Sequence, residues 1–179
     1  MSDFKIRSAT RQDIATLADI LTEGFEGYRR WTPVGWESPT RAAMLLGLMH
    51  RFGRDGSWSL LAFSAGSDPA GQATARPERD PDGEPRQGVA RLTQLFVREP
   101  HWGSGLAAEL HELILEGMRT RGYETACLWA AVGQARARAF YEREGWRATG
   151  RLDPDNDLGL ELMEYELGLR DPTAPGRGG

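Results

Sequence analysis

Apolar residues in this chain recur with two different periods, and the switches between them mark out its elements. DFKIRSA (3–9) alternates apolar and polar side chains, the period of a half-buried strand. Thr10 and Asp13 stand at the spacing of a capping box, and Ile14, Leu17, Leu21 and Phe25 follow at helical spacing. Residues 27–39 are rich in aromatics, Gly and Pro and read as a loop. Ser38–Pro39 starts a second predicted helix with Met44, Leu45, Leu48, Met49 and Phe52 on one face, closed by Gly53. WSLLAFSAG (58–66) and AGQATARP (70–77) read as paired strands. The polar, turn-rich segment 79–88 reads as an exposed hairpin loop, and VARLTQLFV (89–97) as a strong strand.

Beyond a Gly-rich loop the helical period returns. Leu106, Leu110, Leu113, Ile114 and Met118 fall on one face, Glu109, Glu112 and Glu116 point outward, and Gly122 ends the helix. His111 reads as a solvated residue of this helix. ETACLWAAV (124–132) is almost continuously apolar, as a strand at the buried centre of a sheet must be. A short helix (135–144) and a closing strand pair (146–151 and 160–168) complete the order. A meander followed by βαβ elements implies an α/β class with a mixed sheet of six to seven strands and helices on both faces.

The length of 179 residues suits one domain, expected over 1–169, with 170–179 as a disordered tail. The net charge of −4 argues against a nucleic-acid surface. Cys127 is the lone cysteine and lies in an apolar run. It reads as a core thiol, and neither a disulfide nor a metal site is expected. No apolar run is long enough for a membrane and MSDFKIR is no signal peptide, so a cytoplasmic protein is expected.

The chemistry concentrates at HWGSGLA (101–107), between the strand 89–97 and a helix. A Gly-rich turn opening a helix presents backbone N–H groups and the positive end of the helix dipole to a phosphate. Gly103 and Gly105 allow close approach, and Ser104 offers a hydroxyl donor. Alone, the loop reads equally well as a plain strand–turn–helix connection.

With QARARAFYEREGW (134–146) beside it, the chain resembles the GNAT superfamily of N-acetyltransferases. HWGSGLA is similar to that family's coenzyme A pyrophosphate loop, with Gly105 and Ala107 at its last two defined positions and Trp102 where Arg or Gln is usual. In the second segment Arg136, Ala137, Phe140, Tyr141, Glu142 and Gly145 match the family pattern, while Gln134 replaces Asn and Trp146 replaces Phe. The resemblance implies a fold in which acetyl coenzyme A is the acyl donor and an amine the acceptor. Its diphosphate would meet Gly103, Ser104, Gly105, Leu106, Ala107 and Ala108. Its pantetheine amides would pair like an added strand with Leu95, Phe96 and Val97, near Gln134. A backbone N–H near Leu95 would polarise the thioester carbonyl. Tyr141 would protonate the departing thiolate.

No base is evident, because Thr93 and Gln94 stand where many relatives carry an acidic residue. His101 is tempting, but it lies six residues past Leu95, up to roughly 20 Å along extended chain. Glu26, Tyr28 and Trp31 lie in the segment that commonly walls the acceptor site. Phe25, Tyr28, Trp31 and Trp36 are either an apolar and cation–π wall for an amine or a loop pinned to the core. Trp129 and Trp146 read as core. A homodimer through the last strands fits the family.

GSGLAA also fits a loose dinucleotide-binding fingerprint, but the next strand ends AAVGQ without the required carboxylate. No Gly-Lys-Ser/Thr follows, so this is no P-loop. A non-catalytic acyl-coenzyme A sensor and an acetyltransferase acting on protein N-termini remain as alternatives to one acting on small amines.

Overall fold

The computed structural model describes residues 3–154 and 156–170. Strand β1 (Phe4–Ser8) leads into helix α1 (Ile14–Glu26), and helix α2 (Arg41–Arg51) follows after an irregular segment. Next come β2 (Trp58–Ser64), β3 (Pro69–Arg79) and β4 (Pro85–Val97). Helix α3 (Leu106–Thr120), β5 (Thr125–Ala131), α4 (Ala135–Arg143), β6 (Arg147–Asp153) and β7 (Leu162–Gly168) complete the described chain. The strands form one seven-stranded sheet in the order β1-β2-β3-β4-β5-β7-β6. Every neighbouring pair is antiparallel except β4–β5. The mixed sheet expected from the sequence is therefore present, and it is mostly antiparallel. Residues 171–179, the greater part of the expected tail, lie outside the described residues.

The two faces of the sheet bury different sets of side chains. On one, Leu106, Leu110, Ile114, Leu115 and Met118 of α3 pack on Ala73 and Ala75 of β3, Ala90 and Leu92 of β4, and Ala126 and Leu128 of β5. On the other, Leu17, Ile20, Leu21 and Phe25 of α1 with Leu48 of α2 pack on Leu61 and Phe96. Each fully buried Leu or Ile contributes about 1.5–3 kcal/mol of apolar transfer. The alanines of β3 to β5 let α3 lie close to the sheet.

Local signals set the element ends, with some differences from the sequence reading. Thr10 N–H and its hydroxyl both donate to Asp13, at 2.7 and 3.1 Å, and Arg7 grips the same carboxylate with two bonds of 2.8 Å. Helix α2 starts at Arg41 rather than at Pro39, because the Thr40 hydroxyl caps it by accepting from Ala43 N at 3.2 Å. The 79–88 loop is much shorter than expected. Asp80 Oδ1 accepts from the N–H groups of Asp82 and Glu84, at 3.0 and 2.9 Å, so the turn closes within 80–84 and both strands run into it. On α3, Leu113 is 43% exposed whereas His111 is 2% exposed. The buried stripe runs along 106, 110, 111, 114, 115 and 118, and its 110/111 and 114/115 pairs leave 113 on the outer edge. Trp129 is half-buried and lies between the guanidinium groups of Arg91 and Arg151, outside both apolar clusters.

Candidate active site

The parallel pairing of β4 with β5 is short. It runs from Val89–Thr125 to Arg91–Cys127 and goes no further. On its other side β4 stays paired to β3 as far as Val97–Gly71, and Arg98 N–H donates to Ala70 C=O at 2.9 Å. Antiparallel alternation then turns the backbone groups of Phe96 and Gln94 toward β3, and those of Leu95 and Val97 away from it, into the gap beside β5. A β-bulge sits just upstream: Thr74 pairs with Gln94 and Ala75 with Leu92, leaving Thr93 as the extra residue. The Thr93 hydroxyl donates to Thr74 C=O at 3.1 Å. The outcome is a cleft with strand-edge hydrogen-bonding groups on one wall.

The Gly-rich loop lies at the end of that wall. Gly103 and Gly105 have φ values of +79° and +88°, a conformation in which only glycine is unstrained. A Cβ at either position would meet nothing within 4 Å, so the space above this helix N-terminus is open. Trp102 Nε1 donates to Val97 C=O at 2.7 Å and ties the loop to the strand end. The Arg136 and Arg30 guanidinium groups approach the Trp102 ring at 4.2 and 5.4 Å, and Arg30 pairs with Glu99 at 2.8 Å. Ser104 is already committed, donating to His101 C=O at 2.6 Å; its hydroxyl holds the turn and does not point a free donor at a ligand.

The segment after α1 reaches over the same cleft. Tyr28 packs on Phe96 of β4 at 6.2 Å, on Phe25 at 5.2 Å and on Trp31 at 4.7 Å. Trp31 in turn lies against Gly133, where an added Cβ would be 3.0 Å from its ring. Burial pushes the Tyr28 phenol up to about 12, and the Gln134 side chain hydrogen-bonded to it opposes the shift. Tyr141 is half-buried on α4, edge-on to Phe140 and Trp146, and forms no hydrogen bond among the described residues. Its phenol is raised well above the ordinary value, by burial first and by nearby Tyr28 second. Tyr28, Trp31, Gln134 and Tyr141 therefore converge at one place, at the mouth of the β4/β5 gap.

The model of the Acetyltransferase (GNAT) family matches residues 19–146, a span holding both the loop and the aromatic cluster. The chain belongs to the GNAT acetyltransferase family. Among solved structures it is similar to a GNAT acetyltransferase from Staphylococcus aureus Mu50, with 15% identity and a TM-score of 0.72 over 93% of this chain and 99% of that one. An acetyltransferase from Thermus thermophilus is similar at 23% identity and a TM-score of 0.69, over 94% and 97% of the two chains. A spermidine N-acetyltransferase from Vibrio cholerae, in complex with CoA and spermine, is similar at 15% identity and a TM-score of 0.68, over 93% and 96%. No curated protein matches the chain.

Within this GNAT fold other titratable side chains are already engaged. Glu26 is exposed and paired with Arg29 at 2.7 Å, which holds its carboxyl below the usual range. The His101 ring packs edge-on against Phe4 at 5.4 Å, and its carbonyl holds the Gly loop. His111 is buried beneath α4, accepting from Trp146 Nε1 at 2.9 Å, so it is a core residue and not a solvated one. Glu23 is gripped by Arg98, with an Nε–Oε2 distance of 2.7 Å. Cys127 is buried, its thiol pushed up by burial and by Glu78, to which it donates at 2.9 Å.

Sequence reasoning missed Gly133 and the pinning role of Trp102. A glycine directly before the α4 motif was the only available sign of the first. The tryptophan at a position usually held by Arg or Gln was the sign of the second. Among the described residues no group of three or more His, Cys, Asp or Glu could hold a metal ion, and no helix is long and apolar enough to cross a membrane.

Proposed function

We propose that this protein transfers an acetyl group from acetyl coenzyme A to a primary amine of a small molecule by direct attack. The observation that carries the reading is the end of β4–β5 pairing at Arg91–Cys127, which leaves the Leu95 and Val97 backbone facing a gap. Those groups suit the pantetheine amides, and the open N-terminal end of α3 suits the diphosphate.

In the reaction the neutral amine nitrogen forms a bond to the thioester carbonyl carbon. Negative charge moves onto the carbonyl oxygen, where the Leu95 N–H stabilises it. The carbon–sulfur bond then breaks, the nitrogen loses a proton to water, and the sulfur gains one. Tyr141 is the donor to sulfur, and its phenolate regains a proton from the water that took the one from nitrogen. Its raised phenol stays protonated throughout the neutral range, so it is always ready to donate. Being a weak acid, it acts first by hydrogen-bonding the developing thiolate. Tyr28 and Trp31 form the aromatic wall beside it.

The test is release of free thiol from acetyl coenzyme A in the presence of a panel of amines, with the acetylated product identified by mass. Thiol release that is independent of amine would mean hydrolysis. Tight coenzyme A binding with no turnover on any amine would favour a non-catalytic sensor.

A further inference from the structure

The sheet face covered by α1 and α2 continues past those helices toward β5 and β7, and there it changes character. Along β3 the side chains of Gln72, Thr74 and Arg76 share this face. Their partners Phe96, Gln94 and Arg91 on β4 share it too, since directly opposed residues project to one side. Phe96 belongs to the α1 cluster, which fixes the side. A polar stripe thus runs from beneath α1, beside Leu95, to a pair of arginines facing each other across the β3–β4 ladder.

The Thr74 hydroxyl is engaged with that of Ser59 at 2.8 Å, but other hydrogen-bonding capacity along the stripe is unspent. Gln72 is fully buried, and neither its Nε2 nor its Oε1 has a partner; Gln94 Oε1 is buried and unpartnered as well. The carboxylates of the open face, in contrast, are already held. Glu78 pairs with Arg91, Glu164 with Arg151 at 3.0 Å and with the Thr149 hydroxyl at 2.8 Å, and Glu166 with Arg86 at 3.8 Å. Arg76 is left over. It is half-buried, donates only to Pro77 C=O at 3.3 Å, and forms no ion pair among the described residues. Burial first, and Arg91 second, disfavour its charge; Glu78 and Asp55 lean the other way without reaching it, and Arg51 adds further repulsion. A guanidinium drawn partly out of water beside a second one is costly, and an incoming anion removes that cost.

We propose that Arg76, with Arg91 beside it, binds the carboxylate of an acceptor whose amine lies at the other end, toward Leu95. The proposal rests on the acetyltransferase reading above and names its substrate class: amino carboxylates. Three steps of β3 separate Ala73, opposite Leu95, from Arg76, opposite Arg91, roughly 10 Å at about 3.3 Å per residue, and the arginine side chains reach back over part of that span. The amine and the carboxylate should therefore be several bonds apart. The Gln94 amide lies between them.

Two measurements test the proposal and keep it distinct from the acetyltransferase reading. In the first, isotope-labelled protein is titrated with γ-aminobutyrate, ε-aminocaproate, their carboxamides, putrescine and phosphoethanolamine, and arginine side-chain resonances are followed. The Arg76 resonance, identified by its loss in Arg76→Gln, should move saturably with the amino carboxylates and not with the carboxamides or putrescine. No saturable shift, or an equal shift with the carboxamides, overturns the site. A shift with phosphoethanolamine alone overturns the carboxylate assignment in favour of a phosphate. In the second, kcat/KM for thiol release should favour each amino carboxylate over its carboxamide by about tenfold or more, the scale of a charge-assisted hydrogen bond. Arg76→Gln should bring that ratio toward one, and Arg76→Lys, which keeps charge but not the planar fork, should retain part of it. A wild-type preference for putrescine or the carboxamides overturns the proposal while acetyl transfer stands. Turnover of no amine at all overturns acetyl transfer and leaves the resonance titration to decide the site.

Discussion

The indole of Trp102 donates to the carbonyl of Val97 at 2.7 Å, so the Gly-rich loop is tied to the strand end that it follows. The tie has two opposing effects on a ligand lying along β4. It holds the loop in place before binding, and it occupies a carbonyl that a pantetheine amide would otherwise use. Trp102→Phe keeps a ring for Arg136 and Arg30 to stack on but removes the donor. If ordering the loop matters more, coenzyme A affinity falls by about fivefold to tenfold, the worth of one hydrogen bond of roughly 1 kcal/mol. This is the outcome we expect, and calorimetry on the folded variant measures it. Tighter binding would mean that the indole masks a needed acceptor.

Gly105 separates the stability role of the loop from its binding role. Its φ of +88° disfavours any other residue, while the space around a Cβ is open. Gly105→Ala therefore costs backbone strain alone, about 1–2 kcal/mol, which lowers Tm by roughly 2–8 °C for a chain of this size. Gly105→Trp bears the same strain and also fills the space at the α3 N-terminus, so it should abolish coenzyme A binding in a protein that still folds. Unchanged affinity in the folded Trp variant would remove the loop from the binding site.

The order of elements was legible because the hydrophobic period switches cleanly at each boundary, and the central strand stood out at Thr125–Ala131 because it is almost continuously apolar. The loop and the α4 segment were legible because glycines at positive φ and an aromatic pair leave fixed traces in sequence. Other features left no such trace. His111 looked solvated because a polar type on a helix is ordinarily outward; only the approach of Trp146 from beyond α4 gives it a buried partner. The Asp80 turn was hidden because DPDG within a polar stretch reads the same in a tight hairpin as in a long loop. The convergence of Tyr28, Trp31, Gln134 and Tyr141 joins residues more than a hundred positions apart, and local periodicity carries no information about such pairs. Glu26 was picked as an acceptor contact for its type and neighbourhood, and it pairs with the surface arginine three residues on.

The His111–Trp146 bond predicts a pH dependence of stability. Burial lowers the His111 imidazole below its ordinary 6.5, and Glu144 and Glu112 oppose the shift only in part. The neutral ring accepts from Trp146, and the protonated ring cannot. As pH falls through 6.5 the unfolded chain takes up the proton before the folded chain does, so stability present above that pH is lost below it. Asp13 and Glu78, held below their ordinary values of 3.8 and 4.5, lose their contributions only at lower pH. Denaturant unfolding at a series of pH values should show stability declining below about pH 6.5. His111→Gln, whose Oε1 can still accept from the indole but does not titrate, should flatten that decline. An identical slope in the variant would assign the effect to another group.

Tyr141 carries the sharpest mechanistic prediction. Its phenol has no hydrogen-bond partner among the described residues, and burial with Tyr28 nearby keeps it protonated, so its hydroxyl is free to serve the sulfur. Tyr141→Phe preserves the ring that packs on Phe140 and Trp146 and removes only the donor. Coenzyme A affinity should change little, and kcat should fall by about 10²–10⁴, the range for a lost general acid. The raised phenol also places its ionisation above the ordinary value of 10.0, so it should produce no alkaline limb below that pH. With no titrating base beside Leu95, kcat/KM should instead climb with pH up to the acceptor amine's own pKa and shift when the amine is exchanged. A limb at one fixed pH for every amine would reveal a base on the protein. A purely packing role for Tyr141 predicts a few-fold loss at most, so near-normal kcat in the Phe variant, under conditions where chemistry limits the rate, would leave water as the proton donor to sulfur.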